Sequence, residues 1–424
     1  MYEAIPDRWQ RRSLSSLGEY ENGFAFSELH WSEHGLPIVR IAQITGSQGI
    51  VDRYPGRLPT TFRIDSGDLI FSWSGTLAVV RWGGGPAWLN QHLFKVVPAA
   101  SVEKSLLFHL LLASVAEMNK RTHGSTMKHI KRGELREFFV SLPVDGGEQR
   151  KLAQILDTLD ATIQETDAII AKLKVVKQGL LHDLLTRGID ANGELRPPCS
   201  EAPHLYKLSA LGWIPKDWTC STLQPWLDGK PKNGYSPQEA GAWTGIQMLG
   251  LGCLTADGFQ PAQLKPAPRD DRRLCSAFLS EGDLLMSRSN TRDLVGLAGV
   301  YRDVGTPCTY PDLMMRLRPS PETSAEFLQF VLRSPQLRRQ IQAQAVGTSG
   351  SMVKISGKIV SELVVAIPDR TEQEVILSSL LLADRCLTAE IENIAKLRQV
   401  KAGLMDDLLC GRVRVTALLA EGEQ

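Results

Sequence analysis

One long helical pattern is written twice in this chain, and that constrains the fold more than any other feature. AKLKVVKQGLLHDLLTRG at 171–188 returns as AKLRQVKAGLMDDLLCGR at 395–412. The pattern is wider than the twin itself. From roughly Glu148 to Leu185, apolar residues recur with a 4-3 spacing at Leu152, Leu156, Leu159, Ile163, Ile170, Leu173, Leu180 and Leu184. Thr166 and Lys177 interrupt the seam. The second copy has Ile376, Leu380, Ala383, Leu387, Ile394, Leu397, Leu404 and Leu408, with Glu390 and Lys401 at the same polar places. Such spacing is a heptad seam. A polar seam residue costs stability and specifies register and partner. Shared polar positions therefore predict that the two helices pack on each other. Each helix follows its own globule, so parallel packing would crowd the globules together. An antiparallel pair with an approximate twofold axis is expected, with a rod of about 55 Å from ~1.5 Å per residue.

The duplication runs nearly end to end. PDRWQRRSL from Pro6 returns as PKDWTCSTL from Pro215, aligning Trp9 with Trp218 and Leu14 with Leu223. GDLIFSWSGT from Gly67 returns as GDLLMSRSNT from Gly282, and NQHLFKVVP ending at Pro98 as PDLMMRLRP ending at Pro319. GSTMKHI returns as GSMVKIS, and FFVSLPVDGGEQ as LVVAIPDRTEQ. Each half opens with short apolar runs broken by Gly, Pro and Asp, a strand-and-turn pattern. A helix of about four turns follows, interrupted by Pro335 in the second half. A strand ending in proline closes each globule.

The expected fold class is α+β: two similar strand-rich globular domains joined by two long helices in an antiparallel coiled coil, a pseudo-twofold internal repeat. The boundaries read as a first globule at 1–143, a central helix at 144–190, a linker at 191–214, a second globule at 215–368, a distal helix at 369–415 and a tail at 416–424. The linker reading rests on the polar, Pro-rich start of that segment.

Composition narrows the function classes. With 43% apolar and 22% charged residues over 424 positions, the chain is expected to be globular and multidomain. No run of eighteen apolar residues predicts a membrane span, and MYEAIPDRWQRRS has no apolar segment of the secretory kind. The seven cysteines all lie in the second half and form no CxxC pair. Reduced thiols in a cytoplasmic protein are expected, not a disulfide framework or a zinc site. Net charge is only +1, but the two globular parts are each +3 while the helical parts are −2 and −3. That distribution fits two local contacts with a polyanion joined by a solvated strut.

Enzyme signatures are missing. There is no GxGxxG, no GxxxxGK, no HExxH, no E-x-K of the nuclease kind and no Asn/Asp-Pro-Pro-aromatic motif. No catalytic residue, cofactor site or metal site is assigned. The repeated loops instead carry side chains suited to nucleic acid. Arginine matches guanine O6/N7, and Asn and Gln match adenine N6/N7. Hydroxyls, lysines and exposed N–H groups suit phosphate. In the first half the candidates are Arg40, Gln43, Ser72, Ser74, Arg81, Ser125 and Lys128. In the second they are Gln247, Ser287, Arg288, Asn290, Arg292, Ser351 and Lys354. Gln247 and Gly250 read as the counterparts of Arg40 and Gln43. Asn90, Gln91 and His92 read as turn residues, and Trp9 and Trp218 as core anchors.

The ordered set GDLIFSWSGT, NQHLF, GSTMKHI, FFVSLP, EQRKLAQILDTLDATI and AKLKVVKQGLLHDLLTRG, all then repeated, resembles the specificity subunit of Type I restriction-modification systems. The resemblance covers nearly the whole chain. It implies that each globule is a target recognition domain and that the paired helices space them. It implies a non-catalytic chain that reads a bipartite, asymmetric target in double-stranded DNA. Two methylation subunits, which use S-adenosylmethionine on adenine, and two motor-nuclease subunits, which use ATP and Mg, are the implied partners. Lys172, Lys174, Lys396 and Arg398 are candidate seats of subunit contacts. Two other readings stay open: a coiled-coil scaffold that binds only protein, and a self-sufficient DNA methyltransferase or nuclease.

Overall fold

The computed structural model describes residues 5–47, 50–121, 130, 132–238, 240–347 and 352–420. Ser125, Lys128 and Ser351 lie outside the described residues. The chain divides into two units, Met1–Ile169 with Glu390–Gln424, and Ile170–Ala389. The division falls inside both long helices, Gly146–Leu184 and Arg370–Leu409.

In each unit the two helices run antiparallel. In the first unit Lys401 pairs with Asp160, Arg398 with Asp167 at 3.0 Å, and Arg414 with Glu148 at 2.7 Å. In the second, Lys177 pairs with Asp384 at 2.7 Å while the Ile189 N–H donates to Glu372 at 2.7 Å. Lys177 and Lys401 are the seam lysines, so each meets an aspartate of the opposite helix. Every seam position named from the sequence is buried or half-buried, whereas Lys172, Lys174 and Lys396 are exposed. At ~1.5 Å per residue each rod is about 60 Å long.

The first unit holds a four-stranded antiparallel sheet in the spatial order Gly18–Asn22, Leu93–Pro98, Leu69–Ser72, Ala78–Arg81. A second sheet has the order Arg53–Tyr54, Leu36–Val39, Ala87–Leu89, Arg63–Ile64, with its middle pair parallel. The second unit repeats the plan. Its sheets are Lys232–Asn233, Met314–Leu317, Leu284–Ser287, Ala298–Val300, and Leu264–Pro266, Gln247–Leu249, Cys308–Thr309, the last pair again parallel. The helix Lys104–Arg121 corresponds to Ala325–Arg333 and Pro335–Gln344. The break between the latter two is the expected effect of Pro335, which sits at the first position of a new helix capped by Ser334.

The duplication holds at the level of single bonds. Asp68 accepts the Asp65 N–H at 2.9 Å and pairs with Lys95 at 3.0 Å. Asp283 accepts the Ser280 N–H at 2.9 Å and pairs with Arg316 at 2.9 Å. Buried Gln149 donates to the Pro143 carbonyl at 2.9 Å, and buried Gln373 to the Pro368 carbonyl at 3.0 Å. These bonds satisfy buried polar groups that would otherwise be costly.

Each globule is closed by the segment that follows the other half's helix. After Leu184, Gly188 takes a positive φ of 62° and packs against Trp218 and Glu372. Arg196 then grips Glu372 with two bonds, at 2.5 and 3.0 Å. After Leu409, Gly411 takes a φ of 77° against Pro6 and Trp9, and Arg414 grips Glu148 at 2.7 and 3.0 Å. Both glycines end a helix in the left-handed region that suits glycine. The segment read as a polar linker is therefore built structure. Arg196 is buried in it, and Tyr206–Ser209 and Gly212–Pro215 form a hairpin.

Candidate nucleic-acid interface

The strand-end loops of the two large sheets are framed alike. Ser72, Trp73 and Ser74 follow Phe71 as Ser287, Arg288 and Ser289 follow Met286. The Trp73 indole N–H donates to the Gln91 carbonyl at 3.3 Å, and Arg288 Nη1 donates to the Asp312 carbonyl at 3.1 Å. The backbone carbonyls of Trp73 and Arg288 accept the N–H groups of Ile130 and Ile355, each at 2.9 Å. An aromatic and a cation thus occupy equivalent half-buried positions. Trp73 also stacks on Phe94 and lies beside His92.

Several sequence candidates move inward. Ser72, Ser74 and Ser287 are buried rather than on open loops. The reason is that the sheet's apolar cover continues to the strand end, where Leu69–Ser72 and Leu284–Ser287 are buried at every residue. The Ser72 hydroxyl is spent on the Ser74 carbonyl at 3.3 Å. Arg81 is also redirected. It pairs with Asp157 of the central helix at 2.6 Å, donates to Ser105 at 2.8 Å and lies over the Phe108 ring. It fastens a strand edge to two helices.

Asp157 also binds Ser105 at 2.6 Å and the fully buried His109 at 2.7 Å. Burial pushes the His109 pKa down, against the pull of Asp157. Desolvation would raise the Asp157 pKa, but the bonds from Ser105, Arg81 and His109 outweigh it and hold the carboxyl low. With Nε2 facing Asp157, the other ring nitrogen, Nδ1, has no partner among the described residues. A second ring proton would sit there unsatisfied.

Other candidates stay at the surface. Arg292 is exposed and donates to the Gln342 carbonyl at 2.8 Å. Lys354 is exposed on the short strand paired with Ser289 and Asn290. Asn290 turns its Oδ1 onto the Thr291 N–H at 2.8 Å. Arg398, read as a subunit contact, pairs with Asp167 across the helices.

Arg40 and Gln43 follow the strand Leu36–Val39 of the smaller sheet of the first unit. Gln43 caps the turn Ile41–Ile44: the Arg40 N–H donates to Gln43 Oε1 at 2.9 Å, and the Arg40 carbonyl accepts the Gln43 N–H at 3.1 Å. The Arg40 guanidinium pairs with Asp52 and stands over Trp31, 5.5 Å from its ring. Strand register corrects the expected counterparts. The Phe24 N–H bonds the Leu89 carbonyl as the Tyr235 N–H bonds the Tyr310 carbonyl. Leu89 pairs with Val39, and Thr309, next to Tyr310, with Met248. Arg40 therefore corresponds to Gly250, and Gln247 to Pro37. The three-residue difference from the expected pairing arises because loops of unequal length precede this short strand in the two halves. Trp31, Asp52, Trp73 and Asp312 were not singled out from the sequence. Trp73 was the one that could have been found, at the centre of the SWS/SRS repeat.

Among the described residues no group of three His, Cys, Asp or Glu side chains is placed to hold a metal ion, and no helix is long and apolar enough to cross a membrane. All seven cysteines are free.

Residues 6–175 match the family model described as Type I restriction modification DNA specificity domain. The chain is 30% identical over 190 residues to the Type I restriction enzyme EcoBI specificity subunit of Escherichia coli, covering 43% of this chain and 40% of that one. It is 24% identical over 279 residues to the EcoKI specificity subunit of Escherichia coli strain K12, covering 65% and 55%. These alignments span about half the length of the curated relatives. A crystal structure of a Type I restriction-modification S subunit from M. genitalium superposes with a TM-score of 0.58 at 16% identity, over 96% of this chain and 97% of that one. A structure from a study of complex assembly and conformational transition of the type I R-M system gives 0.52, also at 16% identity, over 97% and 100%. At these identities the two likenesses establish the fold.

Proposed function

We propose that the chain supplies sequence specificity to a Type I restriction-modification complex without catalysing a reaction itself, because residues 6–175 match the model of the Type I restriction modification DNA specificity domain and the fold is similar to that of a Type I S subunit. Residues 1–143 read one half-site of a bipartite double-stranded target, and residues 215–368 read the other. The paired helices set the length of the unread spacer. Two methylation subunits carry S-adenosylmethionine and modify adenine; two motor-nuclease subunits use ATP and Mg. This chain holds no cofactor of its own.

One observation carries the reading. Two globules share several framework bonds at equivalent positions, yet place Trp73 and Arg288 on equivalent carbonyls. A common scaffold with different polar tips suits two readers of different short words, because base edges are told apart by donor and acceptor pattern. The test is methylation mapping of DNA exposed to the complex reconstituted with its methylation subunits. A split motif is expected, with one side alone changing when residues 1–143 are exchanged for those of a relative. A contiguous motif, or one unaltered by the exchange, rejects the reading.

A further inference from the structure

The first globule holds one guanidinium from two sides. Arg40 pairs with Asp52, and its cationic plane stands over Trp31 at 5.5 Å. The Arg40 side chain remains 28% exposed and that of Asp52 20%. Pairing and stacking remove much of the rotational freedom of a long side chain before any ligand arrives, so less is lost on binding. Trp31, Ile50 and Val51 line one depression with Ser32, Glu33, Asp52 and Arg53, and those three apolar side chains are exposed, Ile50 at 87%. Through Trp31 and Asp52, a fixed cation thus adjoins a mixed surface that carries three exposed apolar side chains.

We propose that Arg40 is the residue with which the first globule reads a guanine. This inference rests on the reading above, that this globule contacts a half-site. The chemistry favours a base over a phosphate. A guanidinium fork can also grip a phosphate, but the Asp52 carboxylate beside it would repel phosphate oxygens. The O6/N7 edge of guanine is neutral, accepts two parallel N–H bonds and matches an oriented fork. The carboxylate adds to the match, since the cytosine of the same pair offers an N4 donor that Asp accepts. Apolar neighbours suit thymine methyls rather than backbone oxygens.

The second globule lacks this device. At Gly250, the position equivalent to Arg40, an added Cβ would meet Gln263 Oε1 at 2.8 Å. That same oxygen accepts the Gly252 N–H at 2.9 Å. The space is filled by a neutral side chain engaged with backbone. The second word therefore has no arginine reader at this point.

The experiment is motif mapping by the reconstituted methylation complex, with position-by-position stringency. The wild type is expected to require a G·C pair in the half-site assigned to residues 1–143. Arg40→Ala is expected to relax that single position by about fivefold or more. Arg40→Lys keeps the charge but not the fork and relaxes the same position. Asp52→Asn relaxes it less. The second half-word stays unchanged in all three and reports intact assembly. Three results overturn the proposal: no G·C pair in the first half-site, unchanged stringency in Arg40→Ala, or a partial loss in Arg40→Ala that is uniform over all sequences. If Arg40→Ala abolishes methylation, Arg40→Lys and Asp52→Asn must still relax that G·C position, and failure to do so also overturns it. A wild-type complex with no split motif removes the parent reading instead.

Discussion

Trp73 and Arg288 are the same residue of the repeat in two chemical forms. Each donates a side-chain N–H to the backbone carbonyl of its equivalent turn, Gln91 or Asp312, at 3.3 and 3.1 Å. The framework therefore specifies a donor of a certain reach and leaves the rest of the side chain open. A planar ring and a planar cation both meet the requirement.

Arg288→Trp is accordingly expected to fold. Its stability in urea denaturation should stay within about 1 kcal/mol of wild type, while the methylated motif changes only in the second half-word. Unfolding of this variant would show that the two positions are not equivalent.

Glu372 and Arg196 are nearly buried together, at 8% and 10% side-chain exposure. Removing one partner leaves a buried charge unpaired. Glu372→Ala should cost about 3–5 kcal/mol. The matching pair, Glu148 with Arg414, leaves its arginine 28% exposed. Arg414 can rehydrate when its partner goes, so Glu148→Ala should cost less. Paired denaturation curves test the order, and a larger loss for Glu148→Ala would refute it.

Acid should loosen the first globule through His109. Its native pKa lies below the ordinary 6.5, chiefly through burial. The unfolded chain therefore accepts a proton that the native state resists. Stability from this group is complete above about pH 6.5 and declines as pH falls below it. Asp157, held below its usual range, adds a loss only at more acid pH. Denaturation midpoints measured from pH 7.5 to 5.5 should fall more steeply for wild type than for His109→Gln. Equal slopes would remove His109 from the account.

Deleting one heptad from each long helix shortens the rod by about 10 Å. The preferred spacer should shorten or recognition fail, with both half-words retained wherever methylation persists. Motif mapping that returns the original spacer would contradict the proposed role of the helices.

Local periodicity made the helices legible. The seam from Leu152 to Leu184 and that from Ile376 to Leu408 lie on the inward face, and the proline break at Pro335 fell where the sequence put it. What stayed hidden depends on distant partners. Arg81 resembled a free contact because Asp157 lies 76 residues away. The segment around Arg196 looked like a linker because its buried partner, Glu372, is 176 residues away. Ser72 and Ser287 resemble loop residues because each opens a polar run, SWSGT or SRSNT, whereas both strand faces are covered there. Arg40 was visible as a residue type, but Asp52 and Trp31, which orient it, are brought in by tertiary folding.

The closure of the first globule by the segment beyond the distal helix has a cost during biosynthesis. Leu408, Leu409 and Val415 belong to the same core cluster as Trp9, Leu152 and Leu156. Chains emerge from the ribosome N-terminus first, so the first globule must wait for almost the entire second half before its core is complete. Until residues 408–415 appear, Trp9 and the start of the central helix have an unfilled apolar face. The domain translated earliest is finished last, and premature termination in the distal helix would damage the end of the molecule farthest from it in sequence.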